Sequence, residues 1–387
     1  MGDIYTRLEV RPIINARGTH TRLGGSLMAP EVLDAMREAA GAYVVLEELQ
    51  AAASEVIARA TGAEAGLVTG GAAAGLLLGT AACLAGADPA AIARLPDTTG
   101  LADEAVMHRA HRNGYDHSVR AAGARIVEVG YANGTRPAEL EAAIGERTAL
   151  VVYLLSPWAG RGALPLAETC AIAHRRGVPV LVDAAAVLPP AANLRRPLAA
   201  GADLVTYSGG KGLGGPQSSG ILAGRADLIR AAALNGSPHH SVGRAAKAAK
   251  EDIVGLVVAL EAYLRRDHAA DTARWRAQAE AMADALRGLP GVAVAVVHDE
   301  REHITPRTEV VLAPESGVDA HEVVAALEEG DPRVFLFEPN GPTARPNSIV
   351  INTHTMQPGE ERVVAEVLRA ALAARLGGRA RPQRVAD

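Results

Sequence analysis

The chain has 387 residues, of which 49% are hydrophobic and 21% are charged, and its formal net charge is −5. This composition is ordinary for a globular protein of about two domains, and the negative charge argues against a broad nucleic-acid-binding surface. The two cysteines make no disulfide framework or zinc site, the N-terminus lacks a secretory signal pattern, and no stretch is apolar enough to span a membrane. We therefore expect a cytoplasmic protein that binds neither nucleic acid nor membrane.

Helical and short apolar stretches alternate from residue 30 to about residue 225. Helices are predicted from Pro30 and up to Gly62, and a glycine-rich turn, TGGAAAG, follows the predicted strand EAGLV. Further strands are predicted at ARIVEVG, TALVVYLL, VPVLVDA and ADLVTYS, with helical segments between them. Buried strands that alternate with helices are typical of a mostly parallel sheet covered on both faces. We therefore predict a large α/β domain over residues 31–265.

The remaining chain predicts a second, smaller domain. The segment from Ser241 to about Leu286 is predicted to be helical almost throughout, with a break near residues 266–271. After it, the predicted strands GVAVAVVH, TEVVLA, RVFLFE and SIVINT alternate with only two helices, which indicates an α+β domain over residues 266–387. Its last residues, 377–387, are expected to be frayed. Residues 1–30 form an N-terminal segment that we expect near the active site.

Two features follow predicted strands at the edge where an open α/β sheet binds its ligands. The small residues of Thr69-Gly70-Gly71-Ala72-Ala73-Ala74 allow the N–H groups of the next helix to approach an anion, although tight helix–strand packing explains them equally well. Asp183 ends a fully apolar strand, where a carboxylate is costly without a cationic partner. The alternative for Asp183 is a cap of the following turn.

A third feature is Lys211, which lies among glycines in SGGKG, directly after the predicted strand ADLVTYS. A partly desolvated lysine near other positive groups is nucleophilic and can form a Schiff base. The stretch is not a Walker A loop, because Val205 stands where that motif needs glycine and Gly212 where it needs serine or threonine. Only one predicted strand separates Asp183 from Lys211. We therefore expect both residues at neighbouring strand ends, on opposite sides of one bound ring.

The chain resembles fold-type-I pyridoxal-phosphate (PLP) enzymes of the selenocysteine synthase and D-glucosaminate-6-phosphate ammonia lyase group. The resemblance covers about residues 11–265 and is carried by INARGTHTRLGG, TGGAAAGLLLGTAACLAG, GARIVEVGYANGT, VPVLVDAAAVLPP, YSGGKGLGGPQSSG and SVGRAAKAAKEDIVGLVVALEAYL. It implies a PLP-transferase-like α/β fold, the cofactor pyridoxal 5′-phosphate, and a homodimer or higher homo-oligomer.

The resemblance also implies roles for individual residues. Lys211 would be the Schiff-base lysine, and Asp183 the partner of the pyridine nitrogen. His111 falls near the position of the residue that stacks on the ring, with Arg112 or His117 as alternatives. No metal is expected at the nearby histidines, because no carboxylate accompanies them at ligand spacing. The remaining residues implied to bind the cofactor are Gly70, Gly71, Ala72 and Ser208 at the phosphate and Ser156 at the 3′-oxygen.

Two departures from the resembling group affect the expectations. The chain lacks the N-terminal extension that resembles a tRNA-binding domain in selenocysteine synthases, so a role on charged tRNA is not expected. Members of the group often have a serine in the phosphate turn where this chain has Gly70. Because glycine has no hydroxyl group, the phosphate contact that a serine would make is expected to be lost or to be replaced by a backbone N–H group.

The expected reaction is an α,β-elimination from a small hydroxylated amino acid, which releases ammonia and a 2-oxo acid. Lys211 would then act as the general base at Cα. Racemisation, epimerisation and transamination need the same residues and stay open, whereas the intact lysine–aspartate pair argues against a non-catalytic binding protein. Arg17, Arg244 and Arg345 are the candidates to bind the substrate carboxylate.

Overall fold

The computed structural model describes residues 3–156, 160–298, 305–337 and 345–377. The chain divides into two compact units, Gly24–Arg266, and Met1–Leu23 together with Asp267–Asp387. Most of the N-terminal segment therefore belongs to the same unit as the C-terminal region. The tail expected to be frayed lies outside the described residues, apart from Gly377.

The strands of the described residues are, in chain order, β1 (Ile14–Ala16), β2 (Ala65–Thr69), β3 (Glu104–His108), β4 (Arg125–Val129), β5 (Thr148–Leu154), β6 (Val180–Asp183), β7 (Leu204–Ser208), β8 (Gly220–Gly224), β9 (Val292–Val297), β10 (Arg307–Leu312), β11 (Val334–Leu336) and β12 (Ser348–Asn352).

The α-helices of the described residues are α1 (Asp3–Arg7), α2 (Pro30–Ala40), α3 (Leu46–Thr61), α4 (Ala72–Ala85), α5 (Pro89–Arg94), α6 (Asp116–Ala121), α7 (Pro137–Ala143), α8 (Leu166–Arg175), α9 (Arg196–Ala199), α10 (Ala226–Leu234), α11 (Lys250–Arg265), α12 (His268–Leu286), α13 (Ala320–Glu329) and α14 (Glu360–Gly377). Helix α3 ends on Gly62 in the left-handed conformation, and Asp267 caps α12 by accepting from the N–H groups of Ala269 and Ala270. Among these helices, none combines the length and apolar character that crossing a membrane requires.

Seven of the described strands form one sheet in the order β2-β8-β7-β6-β5-β3-β4. Strand β8 is antiparallel to both of its neighbours, and the other pairs are parallel. The carboxyl ends of β2, β3, β5, β6 and β7 therefore meet at one edge. Strands β6 and β7 are neighbours, with Asp183 opposite Thr206, as the sequence predicts.

Alternating residues of the parallel strands bury both faces of this sheet. In β5, Val151 and Tyr153 belong to one hydrophobic cluster, whereas Leu150 and Val152 belong to the other. Helices α3, α8 and α11 contribute to the first cluster, and α4 and α10 contribute to the second. Because neither face contacts water, these strands read as continuous apolar runs.

The other unit contains a separate antiparallel sheet of order β12-β10-β9 and a parallel pair, β1 with β11. Ile14 of β1 lies opposite Val334 of β11, so the start of the chain is tied to a strand near its end. Apolar side chains of α12, α13 and α14 form the hydrophobic cluster of this unit with the strands.

Two details differ from the sequence prediction. Residues 241–249 are not helical, because the Gly243 N–H donates to Asn235 O and the Arg244 N–H donates to Ser241 O. These bonds fold the backbone into turns before α11 begins at Lys250. Strand β3 was not predicted, since its five residues, EAVMH, give too short an apolar run. The predicted break between the long helices is confirmed at residues 266–267.

We expect Gly75→Ala to destabilise the protein, because α4 packs on β7 at this glycine. A Cβ at Gly75 would overlap Thr206 Oγ1 and lie 2.9 Å from Thr206 Cβ. Overpacking of this kind costs about 1–3 kcal/mol, which a lower midpoint of urea unfolding would measure. Gly145→Ala is the control, since a Cβ there meets nothing within 4 Å. Equal midpoints for both variants would contradict the close packing.

Candidate active site

The predicted site residues gather at the carboxyl edge of the seven-stranded sheet. Asp183 is the last residue of β6, and Ser208 is the last residue of β7. Ser156 lies two residues after β5 and is half-buried. The glycine-rich turn follows β2, which runs parallel to β7 because both pair antiparallel with β8. The fold thus brings these residues together at the edge where open α/β sheets bind ligands.

Asp183 is a buried carboxylate with 6% of its surface exposed. Burial raises the pKa of its carboxyl group, whereas the Ala185 N–H, which donates to Oδ1 at 3.0 Å, and the nearby Lys211 ammonium lower it. Its backbone oxygen accepts from the Leu155 N–H at 2.9 Å, which holds the residue in line with β5. A buried carboxylate of this kind favours a cationic ligand.

Lys211 lies in a tight turn between β7 and β8. The Gly209 N–H donates to Ser219 O at 2.8 Å, and the Gly215 N–H donates back to Gly209 O at 2.9 Å. A Cβ at Gly210 would lie 2.5 Å from Gln217 Cα, so only glycine lets the two arms of the turn approach this closely. The Ser26 N–H also donates to Gly210 O at 3.0 Å, so the last part of the N-terminal segment contacts the lysine turn.

The electrostatics of Lys211 favour a neutral, nucleophilic amine. Burial lowers the pKa of its ammonium group, and the nearby Asp183 carboxylate opposes this by raising it. Lys211 and Asp183 therefore act on each other as a charge pair across neighbouring strand ends. An amine whose pKa is lowered by desolvation can attack a carbonyl carbon and can accept a proton.

The turn after β2 exposes the N-terminus of α4. Thr69 Oγ1 donates to Gly71 O at 2.9 Å, and Gly71 adopts φ +122°, a conformation that favours glycine. Gly71 has no side chain to cap the first N–H groups of the helix, Ala72 among them. Thr206 Oγ1 in β7 lies 3.4 Å from Ala72 O, so the start of the helix is tied to the lysine strand. This arrangement suits an anion.

The structure gives a reason for glycine at position 70. A Cβ at Gly70 would lie 3.0 Å from Ala246 O and 3.1 Å from Lys247 O. A serine there would crowd these two carbonyl oxygens, so the backbone of residues 246–247 occupies the space that a hydroxyl group needs. Hence an anion at this turn would depend on backbone N–H groups.

His111 is fully buried beside the same edge, in the 3₁₀ turn after β3. Its Nδ1 accepts from the Leu154 N–H at 3.2 Å, and its ring centroid lies 4.4 Å from that of Tyr153. The ring has no surface exposed to solvent, so its stacking role stays a prediction. Of the alternatives, Arg112 binds Asp116 and Glu128, and His117 is exposed.

The sequence did not single out His108 as a buried residue. It ends β3 and has no exposed surface. The centroid of its ring lies 5.0 Å from that of the His111 ring and 5.8 Å from that of the Tyr153 ring. Within the described residues, neither ring nitrogen has a hydrogen-bond partner. Burial lowers the pKa of His108 to about 4, so the ring is neutral at physiological pH. A prediction of β3 would have placed His108 at the sheet edge.

The other charged candidates are distributed over both units. Arg244 is exposed in the turns before α11. Arg345 is exposed in the other unit and pairs with Glu309 at 3.4 Å, and Arg17 belongs to that unit too. The described residues contain no cluster of histidine, cysteine and acidic side chains that could hold a metal ion.

Comparisons with known proteins show which family this chain is similar to. The model of the family "SelA: L-seryl-tRNA selenium transferase" matches residues 13–277. A D-glucosaminate-6-phosphate ammonia lyase of Salmonella typhimurium is 36% identical over 339 residues, which cover 86% of this chain and 89% of that protein. A 5′-C-glycyluridine monooxygenase-decarboxylase of a Streptomyces species is 34% identical over 340 residues, or 86% and 83% of the two chains.

Solved structures confirm the predicted fold. The structure of a D-glucosaminate-6-phosphate ammonia-lyase matches with a TM-score of 0.84 and 33% identity, over 96% of this chain and 98% of the other. A lysine-to-alanine variant of a serine palmitoyltransferase from S. paucimobilis, with a bound PLP–myriocin aldimine, matches with a TM-score of 0.59 over 95% and 88% of the chains. At 14% identity this second likeness shows the fold alone, which is that of fold-type-I PLP enzymes.

We expect the burial of His108 to make stability depend on pH. The unfolded chain takes up a proton on this histidine below about pH 6.5, whereas the folded chain takes it up only near pH 4. Stability is therefore lost as pH falls through this window, by roughly 3 kcal/mol. His108→Phe should flatten the change in urea midpoint between these pH values. The exposed His117→Gln is the control, and a His108→Phe profile parallel to wild type would contradict the prediction.

Proposed function

The chain belongs to the L-seryl-tRNA selenium transferase (SelA) family and is an enzyme of the PLP-dependent lyase type, and on that premise we propose that it eliminates ammonia from a hydroxylated amino acid. The β-hydroxyl group would leave as water, and hydrolysis of the released enamine, through its imine, would give ammonia and a 2-oxo acid. The observation that carries the proposal is the charge pair of Lys211 and Asp183 on neighbouring strand ends, beside an uncapped helix N-terminus. We retain the cytoplasm as the proposed location.

The residues of this edge fit pyridoxal 5′-phosphate. The first N–H groups of α4 and the Ser208 hydroxyl would bind the phosphate, because Gly70 and Gly71 leave room for it to approach the backbone. The buried Asp183 carboxylate would bind the protonated pyridine nitrogen. This nitrogen would add a second positive charge beside the carboxylate, after that of Lys211. Lys211 Nζ would attach the cofactor covalently, and Ser156 is retained as the proposed ligand of the 3′-oxygen.

Each of these residues has a defined task in the reaction. When bound, PLP supplies an electron sink for the electron pair left at the substrate Cα. Lys211 Nζ takes the proton from Cα, for which its lowered pKa suits it. Asp183 holds the proton on the ring nitrogen. The apolar clusters on both faces of the sheet exclude water behind these groups, which strengthens their interactions.

The relatives differ in the reactions that their names state. Relatives of 36% and 34% identity are a lyase and a monooxygenase-decarboxylase. Racemisation, epimerisation and transamination also remain alternatives, since they use the same proton transfer at Cα. The proposal of elimination rests on the likeness to the lyase in both sequence and structure.

We also propose a homo-oligomer. In the apolar face of α11, Ile253, Leu256 and Leu260 are buried in their own unit and Val257 is partly buried, whereas Leu264 is exposed. Tyr43, Val44 and Val45 form an exposed apolar run between α2 and α3, and Tyr43 has 102% relative exposure. A contiguous exposed apolar run is a typical place for a second subunit to bind.

The function is tested by incubating the PLP-loaded protein with amino acids of both enantiomers, among them β-hydroxylated ones and D-glucosaminate 6-phosphate. We expect ammonia and a 2-oxo acid in equal amounts, with no uptake of oxygen. Lys211→Ala should lower the rate on the order of a thousandfold, because the base is lost, while the exposed Lys247→Ala retains it. Borohydride should fix the cofactor to the peptide of Lys211. Altered chirality alone, or oxygen uptake with release of carbon dioxide, would replace elimination by another reaction.

Asp183→Asn replaces the buried carboxylate with a neutral group of the same shape. Without cofactor we expect an unchanged or higher thermal midpoint, since the cost of burying a charge disappears. Turnover should fall about a hundredfold, and the rise in midpoint on adding PLP should shrink. The control is Asp203→Asn, which removes a buried carboxylate that binds the Val180 N–H and His174, and should lower the midpoint but retain PLP binding. Near-normal turnover of Asp183→Asn would show that the pairing is wrong.

A further inference from the structure

A cavity of about 380 Å³ lies along the outer edge of β2, away from Lys211 and Asp183. Helices α3 and α10 form its sides, and residues 236–239 and 246–248 complete it. Its lining includes Thr69, at the start of the glycine-rich turn, but none of Gly70, Gly71, Ala72, Asp183, Ser208 and Lys211. Its volume falls within the range of roughly 300–1,000 Å³ that is usual for small-molecule sites.

The floor of this cavity is apolar. It is made of buried side chains from the strand and from the helices around it, namely Leu67, Val68, Leu78, Ile229 and Ile253. The space is therefore lined for an apolar group, which gains free energy by leaving water. Such a floor would accommodate an aliphatic or aromatic body.

Hydrogen-bonding groups at the outer edge of β2 are already bound. Gln50 donates to Val68 O at 2.9 Å and accepts from the Val68 N–H at 3.0 Å, and Ser54 Oγ accepts from the Gly66 N–H at 2.9 Å. An extended peptide cannot add to this edge as a further strand at these positions, because its backbone would find these partners taken. The geometry therefore favours a small molecule over a peptide.

The mouth of the cavity carries an excess of positive charge. Among its exposed lining residues, four carry an ionisable side chain: the cations Arg230 and Lys247, the imidazole of His239 and the single acid Glu47. Within the described parts of the chain, the side chains of Arg230 and Lys247 have no ion pair or hydrogen bond. Two uncompensated cations above an apolar floor are complementary to a molecule with a negative end and an apolar body.

We propose that this cavity is a second ligand site, which binds a small organic anion with an aliphatic or aromatic body. The carboxylate, sulfonate or phosphate of the ligand lies at Arg230 and Lys247, and its apolar part lies against Leu67 and Ile229. The cavity is lined by Ala246 and Lys247, whose carbonyl oxygens lie beside Gly70. A ligand held there contacts the segment that packs on the proposed phosphate turn. The inference stands on the cavity alone and does not depend on the proposed reaction.

The test uses anilinonaphthalene sulfonate, a fluorescent anion with an aromatic body, and phenylnaphthylamine, its neutral counterpart, as probes. Both are titrated into the protein with PLP added, so that the cofactor position is not available to them. We expect saturable binding of the anionic probe, weaker binding of the neutral one, and a loss of affinity as salt is raised.

The double variant Arg230→Gln with Lys247→Gln should weaken binding of the anionic probe about tenfold and leave the neutral probe unchanged. Arg94→Gln, which removes an exposed arginine of α5 outside the cavity, is the matched control and should retain wild-type affinity. Ala233→Leu, which adds apolar volume to the wall, should weaken both probes. Circular dichroism checks that each variant is folded.

Three results would overturn the proposal. Equal affinity of the double variant and wild type for the anionic probe would show that the cations do not bind it. Unchanged binding to Ala233→Leu would place the probe elsewhere. Absence of saturable binding would show that the cavity is closed in solution, for example by a second copy of the chain.

Discussion

Two opposite charges lie at the ends of neighbouring strands, where Asp183 is buried and Lys211 is half-buried. Burial raises the pKa of Asp183 and lowers the pKa of Lys211, so both effects favour the neutral forms, while their mutual attraction favours the charged forms. A buried pair of this kind rarely stabilises a fold, because the cost of desolvation offsets the attraction. The charge pair therefore contributes little to the stability of the fold, and the surrounding sheet must hold the two side chains in place. The apolar clusters on both faces supply that support.

This support also depends on glycines, whose lack of a side chain allows close packing of the backbone. Gly75 lets α4 approach β7 so closely that Thr206 Oγ1 lies 3.4 Å from Ala72 O. The same Thr206 hydroxyl group also donates to Ile221 O at 3.0 Å. The glycine-rich turn and the lysine strand are thereby held in a fixed position relative to each other. Glycines in the lysine turn have a similar effect, since the two arms of the turn pack backbone to backbone. Small residues thus set the positions of the reactive ones.

Much of this arrangement could be predicted from the sequence, because a buried parallel strand gives a recognisable run of apolar residues bounded by turn residues. The strands ending at Asp183 and Ser208 were identified, and so was their adjacency. Strand β3 was missed because it is short, and His108 was missed with it. The alanine-rich composition of residues 241–249 predicts a helix, whereas a hydrogen bond from the Gly243 N–H to Asn235 O and local turn bonds decide the conformation. The cavity beside β2 left no pattern, since its lining comes from five separate segments.

The pairing of β1 with β11 has a consequence for synthesis on the ribosome. Residues 14–16 emerge first, but their partners at residues 334–336 emerge only after the whole of the Gly24–Arg266 unit. The early strand must therefore wait without a partner while the larger unit can already fold, since domains generally fold as units during translation. Closing so long a loop is slow, although its entropic cost grows only with the logarithm of its length. A nascent chain arrested before β11 would leave its first strand open to pairing with other chains.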